Sequence, residues 1–212
     1  MRFNSLKNLY WLFLNRNTFK NWKKRNFEFP APEFIKHKII EKYNLKESLW
    51  IETGTYYGDT TFLLSKISEK VISIEADERL SNLAKNRFSK FENIEIINDQ
   101  SQNCINEILE KNKDFDNLCI FLDAHLCNDH LQNIKTFGEE KNGTPILLEL
   151  SYIEKYIKNF RKINILIDDI RLFDTNFQNY PSKNELINWS QKNKFSWDIQ
   201  HDIFIMTFNK IS

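Results

Sequence analysis

Short, nearly continuous apolar runs recur along the chain. Each is followed by a longer stretch in which apolar residues return every three or four positions. Runs of the first kind fit strands buried on both faces, and stretches of the second kind fit amphipathic helices. Ser48–Thr53 (SLWIET), Val71–Glu75 (VISIE), Asn93–Asn98 (NIEIIN), Asn117–Asp123 (NLCIFLD) and Ile163–Asp168 (INILID) are the predicted strands. Asp59–Lys70, Glu78–Phe91, a segment from about Gln102 to Lys111, and Thr144–Phe160 are predicted helices between them. Asp59 or Thr60 would cap the first, and Thr144 the last, with Pro145 at its first position. Ser182-Lys-Asn-Glu185 is a capping box opening a helix to about Lys194. Phe195–Gln200 and Ile203–Phe208 flank His201-Asp202 and close the chain as a hairpin.

Five strands alternating with helices imply an α/β protein with a Rossmann-like, doubly wound sheet. The closing hairpin is antiparallel and makes a mostly parallel sheet of seven strands. This alternation of strands and helices occupies residues 31–212, read as one domain. Residues 1–30 stand apart as an N-terminal arm. Leu6, Leu9, Tyr10 and Phe13 recur there at helical spacing, and Phe27-Glu-Phe-Pro-Ala-Pro32 ends that segment. Pro32–Lys42 reads as a second helix, with Phe34, Ile35, Ile39 and Ile40 apolar.

Composition changes the picture in two ways. The net charge of the 212 residues is only +1, which argues against a dedicated nucleic-acid binder. Yet the arm carries seven basic residues against one acid, Glu28, and eight aromatics, while the remainder is acidic. Cationic and aromatic residues together suit a membrane interface. Packing of the arm on the sheet domain, over its pocket or in a dimer contact, is the competing expectation. Three cysteines, Cys104, Cys119 and Cys127, form no closed disulfide set and lack zinc spacing. That count and the absence of a long apolar run predict a cytoplasmic protein, with peripheral membrane contact through residues 1–30 as an option.

In such sheets ligands bind beyond the carboxyl ends of the strands. Glu52-Thr-Gly54-Thr-Tyr-Tyr-Gly58-Asp-Thr follows the first strand and allows close backbone approach beside a helix start. Glu75 ends the second strand, where an acid can hold ribose hydroxyls. Asp99, with Gln100 and Ser101, ends the third, to bind an exocyclic amine or to cap the next helix. Asp123-Ala-His125 ends the fourth, and Asp168-Asp169-Ile-Arg171 the fifth. Carboxylates gathered at one place repel unless protonated or bridged by a cation, and hard oxygen ligands suit Mg²⁺. Asp123, Asp168 and Asp169 are therefore candidate metal ligands. His125 is a candidate base, with His130 a rival. His37 and His201 read as structural or exposed.

The order and spacing of ETGTYYGDT (52–60), VISIEAD (71–77), NDQS (98–101), FLDAH (121–125) and ILIDDIR (165–171) resemble the class I S-adenosylmethionine-dependent methyltransferases. The resemblance covers about residues 48–209. It implies cofactor contacts at Glu52, Gly54, Thr55, Tyr56, Gly58, Thr60, Glu75, Asp99, Gln100, Ser101 and Asp123. Gly54 and Gly58 would border the methionine part, Glu75 the ribose, and Asp99 with Gln100 or Ser101 the adenine. The acids after the fourth and fifth strands look like those of metal-dependent O-methyltransferases from bacterial polysaccharide and natural-product pathways. No Asn/Asp-Pro-Pro-aromatic sequence follows the fourth strand, which speaks against a nucleobase acceptor.

The expectation is thus an O-methyltransferase acting on a small-molecule hydroxyl, a sugar or glycan precursor, without nucleic acid. Mg²⁺ on Asp123, Asp168 and Asp169 would lower the acceptor pKa, and His125 with Asp123 would serve catalysis. A nicotinamide-dependent oxidoreductase is a second reading, weakened by the missing third glycine. A membrane-peripheral module using the arm is a third, and homo-oligomerisation stays open.

Overall fold

The computed structural model describes residues 16–124, 128–129, 134–135, 144–175 and 180–210. Leu6, Leu9, Tyr10 and Phe13 of the expected N-terminal helix lie outside them. Two helices, α1 (Arg16–Lys24) and α2 (Glu33–Lys42), precede the first strand. Then come β1 (Ser48–Thr53), α3 (Asp59–Ile67), β2 (Lys70–Glu75), α4 (Glu78–Arg87), β3 (Ile94–Asn98), α5 (Ser101–Lys111) and β4 (Asn117–Leu122). A ribbon of two short strands follows, β5 (Asn128–Asp129) and β6 (Ile134–Lys135). The chain continues with α6 (Ile146–Tyr156), β7 (Lys162–Ile167), α7 (Lys183–Lys192), β8 (Ser196–Gln200) and β9 (Ile203–Asn209).

Seven strands form one sheet in the order β3-β2-β1-β4-β7-β9-β8. Pairing is parallel from β3 through β7, and β9 and β8 run antiparallel. The expected doubly wound sheet with its closing hairpin is what the chain forms. β1 is buried at all six positions, as a central strand covered on both faces should be. Successive side chains point to opposite faces. Leu49 and Ile51 join a core with α5, α6 and α7, through Ile105, Leu150 and Leu186. Trp50 joins the other core, with Ile39 and Ile40 of α2 and Leu64 of α3.

Local chemistry trims the predicted elements. Gly58, in the left-handed conformation, occupies the N-cap of α3, so neither Asp59 nor Thr60 caps it. α3 ends at Ile67, and the Ser68 hydroxyl donates to the Leu64 carbonyl at 2.7 Å. Asp77 caps α4 by accepting from the backbone N–H groups of Arg79 and Leu80. Pro145, not Thr144, precedes α6, and the Thr144 hydroxyl donates to the Ala124 carbonyl instead, at 3.2 Å. α6 gives way to a single 3-10 turn over Ile157–Asn159. The Ser182–Glu185 capping box is present.

The described part of the arm packs on the sheet domain. Trp22 is buried, donates its indole N–H to the Glu28 carbonyl at 2.9 Å, and meets the His201 ring edge-on at 5.3 Å. Among the described residues, no helix is long and apolar enough to cross a membrane.

Candidate active site

The strand order reverses between β1 and β4, and a crevice opens at their carboxyl ends. Register fixes what borders it. Thr53 pairs with Leu122, and Leu122 with Ile167, so Gly54, Asp123 and Asp168 emerge side by side. A cavity of about 480 Å³ lies there. Gly54, Thr55, Tyr56, Tyr57, Gly58 and Thr60 form one wall. Asp123, Asp168, Asp169 and Arg171 form the other, and Lys36 and His37 of α2 close it from a third side.

The glycine turn is dictated by space as well as by torsion. Gly54 has φ +89°, and a Cβ there would lie 2.7 Å from the Asp123 carbonyl oxygen. Gly58 has φ +81°, and a Cβ there would lie 2.6 Å from the Phe88 ring. Backbone at such torsions favours glycine strongly.

Two carboxyls support this turn from below. Glu52 is buried, and the hydroxyls of Thr61 and Ser73 each donate to its Oε2 at 2.5 Å. Burial pushes its carboxyl up to about 7, against the pull of those two hydrogen bonds. Glu52 thus shapes the turn and does not line the cavity. Glu75 accepts the backbone N–H of Tyr56 at 2.8 Å and that of Asp77 at 2.9 Å. Burial raises its pKa as well. Asp99 is exposed, and its Oδ1 accepts from the Gln100 N–H at 2.7 Å and the Asn103 side chain at 3.1 Å. Gln100 stands at the N-cap of α5 without a side-chain cap bond, and Ser101 is buried in the first turn.

The acid wall is neutralised differently. Lys36 Nζ is hydrogen-bonded to Asp168 Oδ2 and lies 3.7 Å from Asp169. Arg171 bridges Asp169, at 2.5 Å, and the fully buried Asp202. Asp202 also accepts the Arg171 backbone N–H at 3.0 Å. Burial raises the Asp168 pKa despite the Lys36 charge. Burial and then the Asp168 charge hold Asp123 well above the usual carboxylate range. Burial lowers the Lys36 pKa, but the surrounding acids outweigh it and the net shift is upward.

This geometry corrects the expected magnesium set. Among the described residues, the acids whose oxygens all lie within 4.8 Å of one another are Asp168, Asp169 and Asp202, without Asp123. Lys36 and Arg171 already supply positive charge to that group. The residues fit an ion-paired wall and not an Asp123-Asp168-Asp169 metal site. His125, the expected base, and its rival His130 lie outside the described residues, as does Cys127.

Sequence reading missed Lys36 and Asp202 and set His37 aside as structural or exposed. His37 lines the cavity, 3.5 Å from Thr60 Oγ1, and burial lowers its pKa. Glu149 was also missed. It is fully buried near Ser101 and Thr53, and burial pushes its carboxyl up to about 7. Its one sequence signal is an acid on the apolar side of α6.

Comparison with known proteins places the chain. The family model for ribosomal RNA adenine dimethylases matches residues 18–126. An rRNA adenine N-6-methyltransferase from Escherichia coli is 37% identical over 70 residues, 32% of this chain and 29% of that protein. A protein of Methanococcus maripaludis described as "Probable ribosomal RNA small subunit methyltransferase A" is 41% identical over 64 residues, 30% of this chain and 24% of that protein. The chain therefore aligns with less than a third of the length of either relative. A Streptococcus mutans structure described as "a putative methyltransferase" in complex with SAH superposes with a TM-score of 0.52 at 15% identity. That match covers 87% of this chain and all of the other, and shows the shared fold.

These findings overturn the expected O-methyltransferase for a sugar or glycan hydroxyl, and with it the expectation of no nucleic-acid partner. They displace the oxidoreductase and membrane-module alternatives too. The family match runs through Asp123-Ala124 although no Asn/Asp-Pro-Pro-aromatic sequence follows β4. The chain belongs to the ribosomal RNA adenine dimethylase family.

Proposed function

We propose that the protein transfers the methyl group of S-adenosylmethionine to the N6 amine of an adenine in ribosomal RNA. The match over residues 18–126 carries this reading, because it spans the glycine turn, the β2 acid and the end of β4. The crevice suits the cofactor, since Gly54 leaves open the space that a Cβ would fill beside Asp123. When bound, S-adenosylmethionine supplies an electrophilic methyl on a sulfonium. Gly54 and Gly58, with Thr55, Tyr56 and Thr60, border its methionine part. Glu75 accepts the ribose hydroxyls with lone pairs left over from Tyr56 and Asp77. Asp99, Gln100 and Ser101 sit by its adenine.

The acceptor amine is a weak nucleophile because its lone pair is delocalised into the ring. Asp123 addresses that weakness by accepting a hydrogen bond from the amine and holding it in line with the methyl. Its raised pKa makes its carboxylate a better proton acceptor than an ordinary one. Asp123, or His125, would take the N6 proton as the amine receives the methyl and the sulfur–methyl bond breaks, with S-adenosylhomocysteine leaving. Lys20, Lys23, Lys24 and Arg25 are exposed on and just after α1, and contact the RNA phosphates.

Incubation of the purified protein with tritiated S-adenosylmethionine and ribosomal RNA tests the reading. N6-methylated adenosine is expected on nucleoside analysis, with EDTA making no difference. Cofactor binding without label in RNA would overturn it.

A further inference from the structure

Glu149 is a buried acid with no part in the mechanism above. It stands in the first turn of α6 and is fully buried, while Ile146, Leu150 and Ile153 of the same helix belong to the apolar core. Neither of its carboxyl oxygens has a hydrogen-bond partner among the described residues, and nor does the buried Ser101 hydroxyl in the first turn of α5. An orphaned polar group in a core is costly, so one that persists calls for an explanation.

Two hydroxyls face this acid, that of Ser101 and that of Thr53 at the end of β1, and both pull its pKa down against burial. From α5 the Cys104 thiol faces it too, pushed up to about 12 by burial, then by the charges of Asp99 and Glu149. The two hydroxyls stand at opposite ends of the cofactor side. Thr53 precedes Gly54, and its Oγ1 accepts the Asp123 backbone N–H at 3.3 Å. The Asp123 carbonyl in turn abuts Gly54, 2.7 Å from where a Cβ would lie. Ser101 opens α5 directly after Asp99 and Gln100. A single acid thus faces both the seam assigned to the methionine part and the turn assigned to the adenine.

A hydroxyl has one proton to donate. When Glu149 is ionised, Thr53 donates to it and keeps its lone pairs for the Asp123 N–H, and hydrogen bonds in such a chain strengthen one another. When Glu149 is protonated, its carboxyl becomes a donor, and the two hydroxyls are no longer both drawn to it. We propose that Glu149 is a positioning residue whose ionised form ties the Thr53 and Ser101 hydroxyls together and so fixes the two ends of the cofactor crevice against each other. The proposal rests on the cofactor reading of the crevice and not on RNA as the acceptor.

Calorimetry of S-adenosylhomocysteine binding to the full chain at pH 6 and pH 8 tests it. Burial pushes the Glu149 carboxyl up to about 7, so these conditions bracket its ionisation. The wild type should bind more weakly at pH 6 than at pH 8. Glu149→Gln should shrink that ratio on the order of 10-fold, the worth of one hydrogen bond to a charged group. Thr53→Val, which keeps the shape and loses the hydroxyl, should shrink it likewise. Glu52 titrates in the same range, and comparing the ratios of variant and wild type cancels its share. Carbon-13 NMR of the ligand-free wild type gives a second readout, which stands even where a variant does not fold. The Ser101 signals should move with the Glu149 carboxyl at one shared midpoint, and should still do so in Glu52→Gln. A wild-type ratio retained in Glu149→Gln, or Ser101 signals that do not follow the Glu149 carboxyl, would overturn the proposal and leave the RNA reading standing. Wild-type protein that binds no S-adenosylhomocysteine at either pH would overturn both.

Discussion

The two walls of the cavity hold their buried acids by different means. Under the glycine turn, Glu52 and Glu75 are met by neutral donors, the hydroxyls of Thr61 and Ser73 and the N–H groups of Tyr56 and Asp77. Across the cavity, Asp168, Asp169 and Asp202 are met by cations, Lys36 and Arg171. The first arrangement leaves the wall with little net charge once Glu52 takes a proton. The second balances charge against charge, and each carboxylate depends on its partner. Such pairs are weak evidence for stability while intact but costly to break from one side.

Four measurements bear on this contrast. The largest effect is expected at the seam. Gly54→Ala should lower unfolding free energy by about 4 kcal/mol, from strained torsion and the clash with the Asp123 carbonyl, and abolish cofactor binding. Denaturant titration and calorimetry read both; a stable variant that binds normally would remove the close-approach argument. Next, Lys36→Met strands Asp168 and should cost about 3 kcal/mol at pH 8. The loss should shrink in acid, as Asp168 takes up a proton. A loss independent of pH would show that Lys36 acts by packing.

The neutral wall should announce itself through pH. Glu52 has a folded-state pKa near 7 against 4.5 ordinarily, so the folded state binds the extra proton between those values. Its contribution is therefore present below pH 4.5 and lost as pH rises to about 7. Thermal melts of Glu52→Gln should show a slope flattened over that window by up to about 1.4 kcal/mol per pH unit. Parallel slopes for variant and wild type would refute the burial argument. Asp77→Ala should cost least, about 1 kcal/mol for a lost N-cap, with no change in that slope.

The same contrast explains what the sequence disclosed. The neutral wall is local: Gly54, Gly58 and Glu75 lie within a strand-turn-helix-strand unit, where period and turn chemistry announce each role. The main sheet followed from the same periodicities; the helix ends were misjudged where Gly58 and Ser68 compete with the apolar pattern, and the β5–β6 ribbon was not foreseen. The charged wall is assembled from distant stretches. Lys36 is one lysine among several on an amphipathic helix, and meets Asp168 from 132 residues away. Asp202 reads as an ordinary turn residue until β9 lies beside β7. Without those partners, three acids look like metal ligands. The acceptor class was misread for a related reason, since it was sought in a short motif after β4.

Asp202 has a consequence for how the molecule comes into being. A chain made from its amino end has its glycine turn, β2 acid and β4 end in hand by residue 123. Asp202, which anchors Arg171, is added nearly eighty residues later, in the turn between the last two strands. Until then Arg171 and Asp169 lack their third member, and His201 is absent as the surface for Trp22. The residues of the cavity are therefore made in order, those of its cofactor side first and those of its acid side last. A chain ending before β9 would carry the residues of the cofactor side while lacking those that complete the acid wall.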